Sequence, residues 1–140
     1  MKPVLLNNDL LSLPCEEVAL DEGNEIAQIL LDSLPEEGVG IAANQIGIQK
    51  NVCLVNVDKP IVFINPKIVK AYGKTHFAEG CLSFPGEVVL TERFTSVTVI
   101  ADNHEKPLNF NEENLLECVC VQHEIDHLNG ITMFDRQYKK

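Results

Sequence analysis

The chain has little positive charge, since 11 lysine and arginine residues stand against 21 aspartate and glutamate residues in a length of 140. The formal net charge of −10 argues against the basic surface on which direct binding to nucleic acid normally depends. The sequence also lacks any apolar run near the roughly 20 residues that cross a bilayer. We therefore expect a protein that binds neither nucleic acid nor a membrane.

The marks of an exported protein are missing as well. The N-terminal stretch turns polar at Asn7-Asn8-Asp9, which is too early for the apolar core of a signal peptide. The five cysteines form an odd set, and outside a secretory context reduced thiols are more common than a disulfide framework. The sequence therefore predicts a cytoplasmic protein with free cysteines.

Nothing in the sequence divides the chain into parts. It contains no internal repeat, no low-complexity stretch and no linker rich in glycine or serine. An apolar content of 45% and a charged content of 23% are ordinary for a soluble globular protein. Because a chain of 140 residues can bury a core without disulfides, we expect one domain over residues 1–140.

Helical and strand-like patterns follow one another along the chain. Apolar residues at helical spacing predict a helix over residues 22–34, with Asp21 as its N-cap and Pro35 beyond its end. The glycine-rich residues 38–47 show no convincing period. Short β-like runs bounded by turn residues predict four strands, at 52–57, 61–64, 67–71 and 97–101.

The last strong element is a helix over residues 112–128, which Asn111 can cap and Asn129-Gly130 ends. Residues 115–121 are apolar on most sides, which indicates a helix buried by sheets and not one lying on the surface. We therefore predict an α+β fold, in which short, mostly antiparallel strands form sheets around a central buried helix.

The motif His123-Glu124-Ile125-Asp126-His127 lies at the end of that helix. Residues four apart share a helical face, so His123 and His127 can bind one metal ion with Glu124 beside them. The pentapeptide alone is equally compatible with two histidines that bind nothing and a solvated glutamate. Its place after a buried stretch favours the metal site, because two unpaired buried imidazoles would be costly to desolvate. A hydrolytic site needs a third protein ligand and an open position.

Two earlier segments can complete such a site. In Glu79-Gly80-Cys81-Leu82-Ser83, a cysteine beside a glycine can present its sulfur and backbone N–H groups together, and a thiolate with two imidazoles is an established metal set. In residues 38–45, small residues let the backbone approach a ligand, and Gln45 offers an amide donor. Taken singly, Cys81 is more often a small core residue, and the glycine-rich segment is more often a tight turn.

Together, the three segments resemble the motifs of the peptide deformylase family. Gly-x-Gly-x-Ala-Ala-x-Gln at 38–45, Glu-Gly-Cys-Leu-Ser at 79–83 and Gln-His-Glu-x-Asp-His-Leu at 122–128 occur complete and in this order. Phe84-Pro85-Gly86 follows the cysteine motif as it does in some members, and the match spans residues 38–136. The resemblance implies a catalytic domain that hydrolyses the N-formyl group from the N-terminal formyl-methionine of nascent polypeptides and releases formate. This reaction is the N-terminal methionine processing of protein biosynthesis.

The resemblance also implies the cofactor and the roles of individual residues. The cofactor is one divalent metal ion, Fe²⁺ in the cell and Zn²⁺, Ni²⁺ or Co²⁺ in purified protein. Its implied ligands are Cys81, His123 and His127. The implied catalytic groups are Glu124 as the proton carrier, and the Gln45 side chain and the Leu82 backbone N–H as donors to the oxyanion.

The implied substrate-binding residues are Val39, Gly40, Phe77, Glu79, Gly80, Leu116 and Val119. For the apolar members of this set, a place in the core is an equally good interpretation. Cys120 is expected to pack near the pocket and not to serve as a fourth ligand, which would close the site. Arg93 and Asp126 are expected to pair and steady the histidine helix.

The implied partners are the formyl-methionyl peptides of nascent chains, with a transient contact to the ribosome. The implied location is the cytoplasm of a bacterium, of a bacterial-type organelle or of a virus-infected host cell. Two departures from the family stand out. Val88 lies near a position where many bacterial members carry an arginine that contacts the distal end of the substrate, and the C-terminal extension of many relatives is absent.

Two other functions remain open at this point. A zinc endopeptidase can use His-Glu-x-x-His, but such enzymes usually recruit a downstream histidine or glutamate, and neither type follows His127. An inert relative could keep the fold and bind formylated or free peptide ends. The presence of Glu124, Gln45 and Cys81 disfavours this, because a pure binder has no use for an acid/base carboxylate.

Overall fold

A computed structural model of the protein describes residues 2–139, which contain two α-helices and eight β-strands. The helices are α1 (Leu20–Ser33) and α2 (Leu115–Leu128). The strands are β1 (Gly40–Ala42), β2 (Val52–Asn56), β3 (Pro60–Ile64), β4 (Lys67–Tyr72), β5 (Thr75–Glu79), β6 (Val89–Arg93), β7 (Ser96–Ile100) and β8 (Leu108–Phe110). Four 3-10 segments lie at Asp9–Ser12, Ala43–Ile46, Glu112–Asn114 and Met133–Arg136. The α+β fold class predicted from the sequence is confirmed.

The strands form three antiparallel sheets, in the orders β1-β2-β3, β4-β7-β8 and β5-β6. The first sheet lies between the two helices, since α1 contacts β2 and β3 while α2 contacts β1 and β2. Side chains of β2 alternate accordingly: Cys53 and Val55 join the core around α2, and Val52 and Leu54 join the core around α1. Both faces of β2 are therefore buried.

Helix α2 is enclosed along most of its length. Every residue from 118 to 128 is buried, which is the expected outcome for a helix that is apolar on most sides. Its α-helical part begins later than predicted, because Asn111 caps the 3-10 segment and the Asn114 side chain accepts the Glu117 N–H at 3.2 Å as the N-cap of α2. The helix ends at Leu128 with Asn129 as its C-cap, and Gly130 follows with a φ of 75°.

The four strands predicted from the sequence are confirmed to within one residue at each end, and α1 to within two. The prediction that Asp21 caps α1 was wrong. Ala19 holds the N-cap position in an extended conformation without a side-chain hydrogen bond, and Asp21 lies inside the first turn. An acidic residue there still favours the helix, because it faces the positive end of the helix dipole.

Four strands, β1, β5, β6 and β8, were not predicted from the sequence. Strands β1 and β8 have only three residues each. In β6 the buried positions alternate at Val89, Thr91 and Arg93, so two of the three inward side chains are polar. An apolar-polar alternation cannot reveal such a strand.

All five cysteines lie within residues 2–139 as free thiols. Cys53, Cys118 and Cys120 are buried, and Cys15 and Cys81 are partly exposed. Neither helix of the described residues has the length and apolar character that crossing a membrane requires.

Candidate metal centre and active site

Cys81, His123 and His127 converge in the structure. His123 and His127 lie one turn apart on α2, and Cys81 lies in the loop that follows β5. The ligand atoms of the three residues all lie within 4.8 Å of one another. The His127 Nε2 atom is 3.4 Å from the Cys81 Sγ atom and 3.2 Å from the His123 Nε2 atom. The three predicted ligands therefore meet at one point.

This donor set fits a divalent metal ion. One thiolate and two imidazoles suit Zn²⁺, Fe²⁺ and related ions, and three protein ligands leave one position open. Burial lowers the pKa of His127 well below its usual value, so this imidazole is neutral, which is the form that binds a metal. Burial also opposes a charge on His123, but its hydrogen bonds with Cys81 and Glu79 raise its pKa well above the usual value. Metal binding therefore has to release that proton.

Glu79 holds His123 from the side opposite to the cluster. Its Oε1 atom lies 2.7 Å from the His123 Nδ1 atom, which leaves the Nε2 atom directed at Cys81 and His127. Arg93 donates to both oxygens of Glu79, at 2.6 and 2.9 Å, and Thr91 donates to one of them. Burial alone would raise the pKa of the Glu79 carboxyl, but the hydrogen bonds from Arg93 and His123 lower it to about 2. Glu79 is thus an ionised partner that fixes the orientation of a ligand.

Asp126 continues this buried network. Its Oδ2 atom accepts a hydrogen bond from Arg93 at 2.6 Å, so the predicted pairing of Arg93 with Asp126 is confirmed. Arg136 donates to both oxygens of Asp126, each at 3.0 Å. No sequence pattern indicated a role for Arg136, because Arg136 and Asp126 belong to different elements and no local spacing connects them.

A cavity of about 360 Å³ opens beside the cluster. Two of the three ligands, Cys81 and His123, contribute to its wall together with Glu124. The other predicted site residues in the wall are Val39, Gly40, Gln45, Phe77, Glu79, Gly80, Leu82, Leu116 and Val119. Glu37, Gly38, Ala78 and Cys120 also line it. Every residue predicted to bind or act on a substrate thus lines this cavity. Of the three predicted metal ligands, His127 does not.

Within the wall, Glu79 differs from the other predicted substrate contacts. Both of its carboxylate oxygens are occupied by Arg93, Thr91 and His123. Its side chain therefore supports His123. The neighbouring loop residues are freer to contact a substrate. The sequence motif could place Glu79 near the site but not choose between these two roles.

Glu124 presents a carboxylate with one unpartnered oxygen to the site. The residue is 4% exposed, and its Oε1 atom has no hydrogen-bond partner among residues 2–139. Burial raises the pKa of this carboxyl to about 7. A group with that pKa can both accept and return a proton near neutral pH.

Gly40 allows β1 to approach Glu124 closely. A Cβ atom added at Gly40 would lie 2.7 Å from the Glu124 Oε2 atom and 2.8 Å from the Cys120 Sγ atom. The carboxylate therefore occupies the space that a side chain at position 40 would fill. This close approach explains why the motif has glycine at this position.

Gln45 is held so that its amide nitrogen faces Cys81. Its Oε1 atom accepts the Ala42 backbone N–H at 2.8 Å, which assigns the amide orientation. Its Nε2 atom then lies 3.2 Å from the Ser83 Oγ atom and 3.7 Å from the Cys81 Sγ atom. The Leu82 backbone N–H donates to no group among residues 2–139. Two groups with N–H donors thus lie next to the cluster, the Leu82 backbone and the Gln45 amide, and the amide donates to Ser83 and Cys81.

The other two histidines lie away from this site. The His104 Nε2 atom is 2.8 Å from the Val62 carbonyl oxygen, and the His76 ring lies 3.9 Å from the Tyr138 ring. Neither residue lines the cavity. Their positions agree with the absence of any motif around them in the sequence.

Comparison with known proteins places the chain in a family. The matching family model is described as polypeptide deformylase and covers residues 1–140. A peptide deformylase of Aquifex aeolicus (strain VF5) is 41% identical over 144 residues, covering 95% of this chain and 85% of that protein. The crystal structure of peptide deformylase from Thermotoga maritima matches with a TM-score of 0.88 at 26% identity and covers 99% of both chains.

A further match is the Met-Ala-Ser-bound crystal structure of a class I type b peptide deformylase from Acinetobacter baumannii. Its TM-score is 0.85 at 30% identity, with 97% of this chain and 98% of that chain covered. Sequence and structural similarity thus extend over nearly the whole molecule and agree with the three motifs. The chain belongs to the polypeptide deformylase family.

Proposed function

We propose that this protein is a metal-dependent hydrolase that removes the formyl group from the N-terminal formyl-methionine of nascent polypeptides and releases formate. The observation that carries the proposal is the unpartnered Oε1 atom of Glu124, in the wall of the cavity that Cys81 and His123 also line. The Met-Ala-Ser bound to the Acinetobacter baumannii relative supports a peptide that begins with methionine as the ligand.

Cys81, His123 and His127 are the proposed ligands of one divalent ion, Fe²⁺ in the cell and Zn²⁺, Ni²⁺ or Co²⁺ after purification. An ion bound there supplies a Lewis acid that makes water acidic enough to be deprotonated near neutral pH. Glu79 keeps the His123 ring turned toward the ion through its 2.7 Å contact with the Nδ1 atom.

Glu124 is the proposed proton carrier. Its free Oε1 atom accepts the proton that the attacking water loses, and it then delivers this proton to the departing amide nitrogen. The enclosing wall withholds the bulk water that would stabilise the charged carboxylate, and the resulting pKa of about 7 suits both steps. No second titratable carboxylate is required, because the proton that is removed first is the one returned.

Gln45 and Leu82 are the proposed oxyanion donors. The Gln45 Nε2 atom and the Leu82 backbone N–H border Cys81, so both can reach an oxygen held at the cluster. A preorganised donor of this kind typically contributes about 3–4 kcal/mol to the lowering of the barrier. The Ala42 N–H fixes the Gln45 amide beforehand, so little reorganisation is needed during the reaction.

The remaining wall residues are proposed to bind the substrate. A cavity of about 360 Å³ lies within the size range of small-ligand pockets, and its apolar members can enclose a methionine side chain. These members are Val39, Phe77, Leu116 and Val119. The backbone of Gly40 and Gly80 can pair with the peptide main chain as an added strand does, which demands little of the sequence beyond the first residue.

The setting of the reaction follows from the same proposal. The substrates are nascent chains, which implies the cytoplasm or an equivalent compartment and a transient contact with the ribosome. The whole of residues 1–140 is then one catalytic domain.

The decisive experiment is anaerobic preparation with Fe²⁺ or Ni²⁺, followed by measurement of formate released from formyl-Met-Ala-Ser. Glu124→Gln should keep the metal and lose turnover, whereas Glu105→Gln, which changes an exposed carboxylate elsewhere, should match the wild type. Cleavage of internal peptide bonds would instead identify an endopeptidase. Tight peptide binding by the metal-loaded protein without any formate would identify an inert relative.

A further inference from the structure

Arg136 lies outside the cavity, and its side chain is 44% exposed. The backbone after it is fixed to β6, because the Tyr138 N–H donates to the Leu90 carbonyl at 2.8 Å and Gln137 forms an antiparallel bridge with Thr91. The C-terminal segment therefore holds the base of the Arg136 side chain in a defined place.

The guanidinium of Arg136 donates two hydrogen bonds to the Asp126 carboxylate, one to each oxygen. Its Nε atom lies 3.0 Å from Oδ2 and its Nη2 atom 3.0 Å from Oδ1. The one other side chain of residues 2–139 that donates to this carboxylate is Arg93, at 2.6 Å to Oδ2. Arg136 thus supplies two of the three hydrogen bonds, and the Oδ1 atom depends on it alone.

Arg93 is shared between two buried carboxylates. Its Nε and Nη2 atoms bind Glu79 and its Nη1 atom binds Asp126, so all three directions of the guanidinium are used. Both carboxylates are nearly inaccessible to solvent, and within residues 2–139 Asp126 forms ion pairs with Arg93 and Arg136 alone. Arg136 thus brings Asp126 a positive charge of its own, beside the Arg93 charge that Asp126 shares with Glu79.

We infer that Arg136 is a positioning residue, which fixes a metal ligand through a chain of buried charged contacts: Asp126, Arg93, Glu79 and finally His123. Without Arg136, Asp126 competes with Glu79 for the same guanidinium. Glu79 is then held less firmly, and its 2.7 Å contact with the Nδ1 atom of His123 loosens. The inference rests on the metal site of the proposed function but concerns a residue that contacts neither metal nor substrate.

The test measures metal affinity directly. Wild-type protein and the variant Arg136→Gln are titrated with Co²⁺ or Zn²⁺ against a competing chelator, and the absorption spectrum of the Co²⁺ form is recorded. Loss of a direct support of a ligand typically weakens binding 10- to 100-fold, so this more distant one should weaken it by about 3- to 10-fold. Arg136→Lys keeps the positive charge but cannot make both hydrogen bonds to Asp126. It should therefore retain part of the metal affinity that Arg136→Gln loses.

A double-mutant cycle tests the route of the effect. In an Asp126→Asn background, Arg136→Gln should change the affinity by less than about 2-fold, because its partner is already lost. The matched control is Lys50→Gln, which removes another cation paired with a surface carboxylate, Glu16, at 3.1 Å. This control should leave metal affinity unchanged. Thermal unfolding of the metal-free variants shows whether stability alone is affected.

The outcomes separate the inference from the proposed function. A wild-type protein that binds no metal contradicts the proposed function itself. If the wild type binds metal and Arg136→Gln binds it equally well, only the inference is overturned. The same holds if Arg136→Gln lowers the melting temperature of the metal-free protein without changing metal affinity, since Arg136 would then be a structural residue only.

Discussion

The substitution Gly40→Ala tests whether the close approach of β1 to Glu124 matters for catalysis. The backbone at Gly40 does not require glycine for its φ, so the effect of a new methyl group is steric. That methyl would lie 2.7 Å from the Glu124 Oε2 atom and 3.0 Å from its Cγ atom. Restoring an ordinary contact of about 3.5 Å would move the carboxylate by about 0.8 Å.

A displacement of that size predicts a large loss of rate and a modest loss of stability. A misplacement of about 1 Å can cost about 100-fold in rate, so kcat for formyl-Met-Ala-Ser should fall by about two orders of magnitude. Overpacking in a buried site costs about 1–3 kcal/mol, to be measured by urea unfolding of the metal-free protein. Metal content should not change, because the ligands lie outside the contact.

A compensating substitution provides the control. The second close contact of the new methyl is the Cys120 Sγ atom at 2.8 Å. Cys120→Ala in the Gly40→Ala background makes room on that side, so β1 can relax and part of the lost kcat should return. Wild-type kcat in Gly40→Ala, with metal fully bound, would refute the assignment of Glu124 as a positioned proton carrier.

Three further predictions concern the metal site and the oxyanion donors. Gln45→Ala should lower kcat by about 100-fold or more with little change in KM, measured by formate release, since the donor acts mainly in the transition state. Glu79→Gln should weaken metal affinity about 10- to 100-fold in chelator competition, because His123 loses its charged support. Iodoacetamide at pH 8 should alkylate Cys81 in metal-free protein and spare it in metal-loaded protein, as read by mass spectrometry. Cys15 should react slowly in both forms, because burial raises its pKa to about 11.

Local patterns predicted the elements whose side chains follow one simple rule. Apolar periodicity predicted α1, an apolar stretch between Asn111 and Asn129-Gly130 predicted α2, and short β-like runs predicted strands of the core such as β2. Strand β6 was missed because Thr91 and Arg93 point inward, where they bind Glu79. The polar side chains that made this strand hard to predict are the same ones that hold Glu79 beside His123.

For the site, the motifs predicted which residues meet but not how they are held. Cys81 and His123 are 42 positions apart, and only the family pattern indicated that they converge. In the structure, their ligand atoms lie within 4.8 Å of each other. The link from Arg136 to Asp126 joins side chains of two separate elements, so it could be found only from the folded arrangement. The steric contact between Gly40 and Glu124 is likewise a property of two elements in register.

Strand β2 is shared by both hydrophobic cores, and this has a consequence for how the molecule opens. A strand packed on both faces cannot lose one neighbour without exposing the other, so its amides should exchange with solvent only when the entire structure unfolds. The helix that carries the histidines contacts this strand directly. The positions of His123, Glu124 and His127 on α2 should therefore persist until β2 itself is lost, even if peripheral strands open first.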